Sequence, residues 1–239
     1  MGNENGEWIM HGLRESDPDC IRTVDRLEEY IDRVGFLPLF KNGIPGFSVE
    51  EHTSPLHWWS GDAERDPWEW RAILARRGNL AYGKFFDKKA GFISKDWLPT
   101  FINYRRDGYD FDARWEDEKA SVRQKKLMDP FDTQPELFSY ELKERSGFGK
   151  GGEKNFEGVL TALQMELYLC VRDFRCRRNK HGEPYGWAIA VYTKPETLWG
   201  ELCSASYGDP PERSRQRIAE QLRRLYPDAG EKDVIKMLG

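Results

Sequence analysis

The sequence predicts an α+β protein built from tandem winged helix-turn-helix modules, helices with small antiparallel β-hairpins as wings. Three observations carry this. Apolar residues recur every three or four positions over several stretches of helical length. Two stretches of strand composition each fold back about a polar tip. The order of helices followed by a hairpin occurs twice. The chain has 239 residues, which at roughly 100–200 residues per domain means one large domain or two small ones. The expected division is a loose N-terminal arm over 1–19, a first winged-helix module over 20–106, a second over 107–200 and a helical C-terminal segment over 201–239.

In the first module, Ile21, Val24, Leu27, Ile31 and Val34 lie at helical spacing and Gly35 follows as a cap, so a helix is expected over 20–34. A short apolar strand spans 36–40, and Ser48 with Glu51 forms a capping box for a brief turn. Asp66 as N-cap, Pro67, Glu69 and a closing Gly78 mark the next helix. Residues 80–86 and 90–94, joined by Asp87, Lys88 and Lys89, read as a hairpin with a basic tip. A short helix interrupted at Pro99 is expected over 95–106. The acids Asp107, Asp110, Asp112, Glu116, Asp117 and Glu118 then face a lone Arg114, the composition of a solvated connector.

The second module repeats the order. One helix is expected over 116–128, and a second is announced by the capping box Thr133-Gln-Pro-Glu136 and runs to Arg145. The glycines of 146–152 form the turn. A third helix over 153–167 buries Phe156, Val159, Leu160, Leu163 and Leu167 and turns Lys154, Asn155, Gly158, Thr161 and Ala162 outward. Strands over 168–174 and 187–192 enclose a polar loop over 175–186, the second wing. Two C-terminal helices follow, one opened by Pro210-Pro211 and one carrying Val234, Met237 and Leu238.

Composition excludes several classes. Hydrophobic residues at 38% and aromatics at 13% are too abundant for a disordered chain. No run approaches the ~18 apolar residues of a membrane span, and the first residues are acidic and polar where a secretory leader is basic and then apolar. No membrane contact and a cytoplasmic location are expected. Cys20, Cys170, Cys176 and Cys203 lack C-x-x-C spacing, and His11, His52, His57 and His181 lack the H-E-x-x-H pattern, so free thiols, no metal and no cofactor are expected. The glycine motifs of nucleotide-binding folds and the nucleophile elbow of hydrolases are absent as well.

A helix-turn-helix offers one helix to the DNA major groove while its wing reaches backbone or minor groove. Lys154, Asn155 and Thr161 supply donors and acceptors on the third helix, and Lys150 sits ahead of its N-terminus, where backbone N–H groups also favour phosphate. In the second wing Arg172, Arg175, Arg177, Arg178 and Lys180 stand against one acid, Asp173, in a chain of net charge −4. The expected DNA contacts are therefore Lys150, Lys154, Asn155, Arg175, Arg177, Arg178 and Lys180. Trp58, Trp59, Trp68 and Trp70 cluster earlier in the chain. They suit the core of a small module better than a pocket for an extruded base, though the sequence leaves both open.

The stretches Asp66-Pro-Trp-Glu-Trp-Arg71, Tyr82-Gly-Lys84, Ala90-Gly-Phe-Ile-Ser94 and Arg177-Arg-Asn-Lys-His-Gly-Glu-Pro-Tyr-Gly-Trp187, with the pattern from Glu136 to Leu169, resemble the AlkZ-related proteins of bacteria. These are similar to the YcaQ-type winged-helix DNA glycosylases of alkyl-lesion and crosslink repair. The resemblance covers about residues 20–200. It implies tandem winged helices enclosing a channel for duplex DNA with alkylated bases, and a metal-independent N-glycosidic hydrolysis. Such glycosylases position water with Gln-x-Gln or Gln-x-Asp. Neither Gln134-Pro-Glu136 nor Gln164-Met-Glu166 matches, so no catalytic residue carries over. Asp110 and Asp112, spaced to face one way in an extended segment, are the candidate catalytic carboxylates, against the plainer reading of a solvated connector. Two non-enzymatic alternatives remain: a module binding a protein partner through the Trp-rich surface, and a transcriptional regulator, which would need a dimer.

Overall fold

Side-chain caps open several of the helices in the computed structural model, which describes residues 2–4 and 7–239. Residues 1, 5 and 6 of the expected arm lie outside the described residues. β1 (Gly2–Glu4) pairs antiparallel with β2 (Glu7–Ile9). Beyond them the arm is tied down: the His11 N–H donates to Glu50 Oε1 and the Leu13 N–H to the Thr53 carbonyl.

α1 (Val24–Val34) is capped by Thr23 and closed by Gly35 at φ 95°. It starts later than apolar spacing suggests, because Ile21 forms an isolated bridge with Thr53 and is buried outside the helix. β3 (Phe36–Pro38) and α2 (Val49–His52) follow, and the Ser48 hydroxyl accepts from the Glu51 N–H as its box predicts. α3 (Pro67–Arg77) has the expected Asp66 cap and a left-handed Gly78. β4 (Leu80–Phe86) and β5 (Lys89–Ser94) form the first hairpin. In α4 (Leu98–Arg105) Pro99 opens the helix instead of interrupting it, since an N–H in the first turn has no helical acceptor to lose.

The acidic stretch departs further from expectation. α5 (Phe111–Glu116) replaces the extended connector, with Asp110 as its N-cap, and α6 (Val122–Met128) is a separate helix behind a Ser121–Gln124 capping box. The single helix expected over 116–128 is thus broken. β6 (Glu136–Phe138) occupies the place of the Thr133–Glu136 box, and α7 (Ser139–Arg145) starts only after it. α8 (Phe156–Met165) is shorter than predicted. β7 (Cys170–Arg178) and β8 (Pro184–Thr193) are longer, so Arg175, Arg177 and Arg178 belong to a strand and not to a loop. α9 (Pro195–Ser204) has no counterpart in the sequence reading, whereas α10 (Pro211–Leu225) and α11 (Glu231–Leu238) do.

The result is a mixed helical and antiparallel architecture. Six strands make one sheet in the order β3-β5-β4-β7-β8-β6. A single register pair, Tyr82 opposite Val171, joins the two hairpins. Side chains lock the same seam: Arg172 Nη1 donates to the carbonyls of Ala75 and Arg76 at the open end of α3, and Trp199 Nε1 donates to the Gly78 carbonyl. Leu27, Phe36, Phe92, Leu160, Leu163 and Leu222 all belong to one contiguous apolar core. The C-terminal helices pack on the first half, where Gln221 Nε2 donates to the Val34 carbonyl and Asn103 Nδ2 to Ser214 Oγ.

Candidate nucleic-acid interface

β7 and β8 run past the rest of the sheet as a two-stranded ribbon, exposed from about residue 177 to 188. Asn179 closes its tip by accepting from the N–H groups of His181 and Glu183. The expected cations divide into two groups. Arg175 is engaged at the base: its guanidinium bonds Glu136 at 2.5 and 3.1 Å and Asp173 at 2.7 Å. The bonds to Glu136 raise its pKa above the ordinary arginine value, against partial burial and with help from Asp173. Asp173 also receives Arg76 Nε at 3.0 Å, so these charges brace the ribbon against α3. Arg177, Arg178 and Lys180 lie outward. The Arg177 guanidinium rests 4.2 Å from the Tyr140 ring centroid, Arg178 bonds the Gly182 carbonyl at 2.6 Å, and Lys180 is exposed.

The ribbon carries a feature the sequence reading missed. Trp187 is 92% exposed and Tyr185, opposite Arg177, is 49% exposed. The sequence puts Trp187 at the start of an alternating strand and Tyr185 in the polar loop before it, whereas both lie on β8 and stay exposed among the described residues. The available signal was two aromatics directly behind a basic run.

Lys150 and Lys154 are exposed ahead of α8 on a turn held by left-handed Gly147 and Gly151, and the turn is anchored by Phe148, only 2% exposed, packed on Phe156. Asn155 takes φ 67° at the start of α8, and its side chain lies over Gly158: a Cβ there would come within 2.4 Å of Asn155 Oδ1. Thr161 does not face outward as expected. It is half-buried against β4, within 3.4 Å of Lys84 Nζ.

Three depressions connect these features. The first, beside Tyr140, includes Lys143 and Lys150 and shares Gly147 with the second, which includes Lys126 and Arg145. The second shares Asp129 with a third, of about 250 Å³, lined by Asp110, Asp112, Asp132, Glu196 and Tyr168 together with Lys125 and Lys194. The two candidate carboxylates therefore do share a cavity, but on helix α5. Asp110 Oδ1 accepts the Ala113 N–H at 2.8 Å as the cap, whereas Asp112 is exposed in the first turn without a hydrogen-bond partner among the described residues.

Behind this cavity lies a buried charge network. Arg106, with a fully buried side chain, bonds Glu196 at 2.5 Å, the Tyr207 hydroxyl at 2.9 Å and the Leu167 carbonyl at 2.6 Å. Burial opposes its charge, yet Glu196, aided by Tyr207, outweighs it and raises its pKa. Burial pushes the Tyr168 phenol up to about 12 against the pull of neighbouring arginines. Gln164 and Glu166 are structural: Gln164 serves Lys84, and Glu166 bonds Arg114 at 3.0 Å and Gln124 at 2.9 Å, burial raising its carboxyl above the usual range.

Trp58 and Trp70 are core residues, 6% and 1% exposed. His52 lies 2.8 Å from both the Tyr30 hydroxyl and the Gly46 carbonyl, while His57 faces Glu15 at 3.1 Å. Among the described residues no group of three or more His, Cys, Asp or Glu side chains is placed to hold a metal ion, and no helix is long and apolar enough to cross a membrane.

A family model described as AlkZ related matches residues 21–239. Comparison with curated proteins gives no match. Among solved structures, the DNA glycosylase AlkZ of Streptomyces sahachiroi is similar at 11% identity and a TM-score of 0.44, over 93% of this chain and 60% of that one.

Proposed function

The chain belongs to the AlkZ-related family, and from that premise we propose that it is a DNA-binding protein of two winged-helix modules, over 20–106 and 107–200, acting on or sensing alkylated duplex DNA. The observation that carries the reading is the run of neighbouring depressions from Tyr140, on whose ring Arg177 of the ribbon rests, past Lys150, to the carboxylate cavity. Arg177, Arg178 and Lys180 on the ribbon and Lys150, Lys154 and Asn155 at the start of α8 contact phosphate and groove, and Trp187 adds a ring able to stack on a base. Arg175 positions the ribbon through Glu136 and Asp173 instead of meeting DNA itself.

If bases are released, the acid group comes from the cavity. N-glycosidic cleavage develops positive charge on the sugar, which a carboxylate stabilises while it orients water. Asp112 is free for that task, and Asp110, as cap, sets the position of its helix. The test is incubation with duplex DNA bearing N3- or N7-alkylated purines, reading gel retention and free-base release at two salt concentrations. Release with salt-sensitive retention supports a glycosylase, and retention alone supports a lesion or DNA binder. Absence of both overturns the reading.

A further inference from the structure

The loop ahead of α3 holds a tryptophan where its backbone resists being held. Trp59 has φ 60°, a left-handed conformation that bulky residues adopt only when their surroundings compel it. The compelling group is the fully buried Asp66. Its Oδ1 accepts from the N–H groups of Trp59 at 3.1 Å and Trp68 at 2.8 Å, and its Oδ2 from Gly61 at 3.0 Å. The indole of Trp59 packs against Trp58 and Trp68 yet stays 45% exposed, and Leu56 in the same loop is 75% exposed. This pinned ring has no part in the DNA contacts above.

The next ring shows what such a face accepts. The Arg71 guanidinium carbon lies 3.5 Å from the Trp68 centroid and 4.3 Å from that of Phe174. Trp59 offers a similar face with no cation on it among the described residues. Asp62 and Glu64 are exposed in the same loop and Glu69 is half-buried, none of them in an ion pair among the described residues, and Arg65 is the sole cation of the stretch 58–69. Such a rim repels phosphate and attracts a cationic partner. Arginine over tryptophan is the favoured form of cation–π contact.

We propose that Trp59 is a docking platform for an arginine-bearing segment of a protein partner, the guanidinium stacking on the indole and pairing with Asp62 or Glu64. The full chain labelled with 5-fluorotryptophan is titrated with a synthetic Arg-Gly repeat peptide and with a Lys-Gly peptide of equal length, the Trp59 resonance being identified through Trp59→Phe. The Arg-Gly peptide should shift that resonance and bind at least threefold more tightly than its Lys-Gly counterpart. Trp59→Ala, and separately Glu64→Lys on the exposed loop, should each weaken it at least fivefold with circular dichroism unchanged. Equal binding of the two peptides, or binding indifferent to Glu64→Lys, overturns the proposal. So does a Trp59 shift produced by duplex DNA in place of the peptide.

Discussion

Gln164 of α8 accepts the backbone N–H of Lys84 in β4 at 3.1 Å, while the Lys84 ammonium reaches Thr161 one turn earlier on the same helix. Both ends of one lysine in the first half thus bind a single helix of the second. Replacing Gln164 by Leu leaves the Lys84 N–H unpaired, an expected loss of about 1–3 kcal/mol, read as a lower urea midpoint. Because the core is continuous across the seam, unfolding should remain one transition. Two resolved transitions would mean that the halves hold up separately.

Arg106 depends on Glu196 for its charge balance. Glu196→Gln should lower stability by about 1–3 kcal/mol, less than for a fully buried pair because the Glu196 side chain is 41% exposed. Thermal melts at two ionic strengths check it, and an unchanged melting temperature would show solvent already screening the pair.

Arg177 and Arg178 test the ribbon. Changing both to Ala should reduce the slope of log affinity against log salt by about 1.8, as for two lost phosphate contacts. Asp173→Asn should weaken binding differently, with the salt slope kept, because it loosens the brace without removing an outward cation. An unaltered slope in the double variant would take the ribbon out of the interface.

The carboxylate cavity separates two roles. Asp112→Asn should abolish base release while duplex retention stays the same or improves, since a negative charge is removed near the DNA path. Asp110→Asn keeps a competent helix cap, so the fold should survive, and its effect on release reports whether that carboxylate has any chemical part. Parallel loss of release and retention in either variant would exclude it as the acid group.

His52 gives the fold a pH dependence. Burial holds its imidazole below the ordinary value of 6.5, so the folded protein favours the neutral ring. A depressed pKa contributes stability above pH 6.5 and loses it as the pH falls from there through the folded value. His52→Gln should therefore differ from the parent most at pH 7.5 and less at pH 5.5, compared by urea midpoints. A gap that widens on acidification would reverse the assignment.

Where the structure follows local chemistry, the sequence was sufficient. The caps at Ser48, Asp66 and Gly78, the hairpin over 80–94 and the apolar stripe of α8 all depend on near neighbours. The failures involve distant partners. Glu136 looks like a capping residue until β6 pairs with β8 and Arg175 claims its carboxylate. The acidic run over 107–118 hides α5, because charge composition outweighed the cap at Asp110. α9 is kinked at Trp199, which has non-helical dihedrals, and so lacks a clean period. At the candidate site, the basic run is legible in the sequence but the engagement of Arg175 by Glu136 and Asp173 is not, and the exposure of Trp187 depends on how far a strand outruns its sheet.

That overhang also bears on how the molecules behave toward one another. Beyond Val171 and Val191 no other described strand pairs with either side of the ribbon, so its unpaired amides and carbonyls offer a template for a strand from another chain. Arg177, Arg178 and Lys180, with the register irregularity between Arg175 and Arg177, discourage such stacking by repulsion and twist. At high concentration and high salt, where that repulsion is screened, the ribbon is the place where self-association would begin.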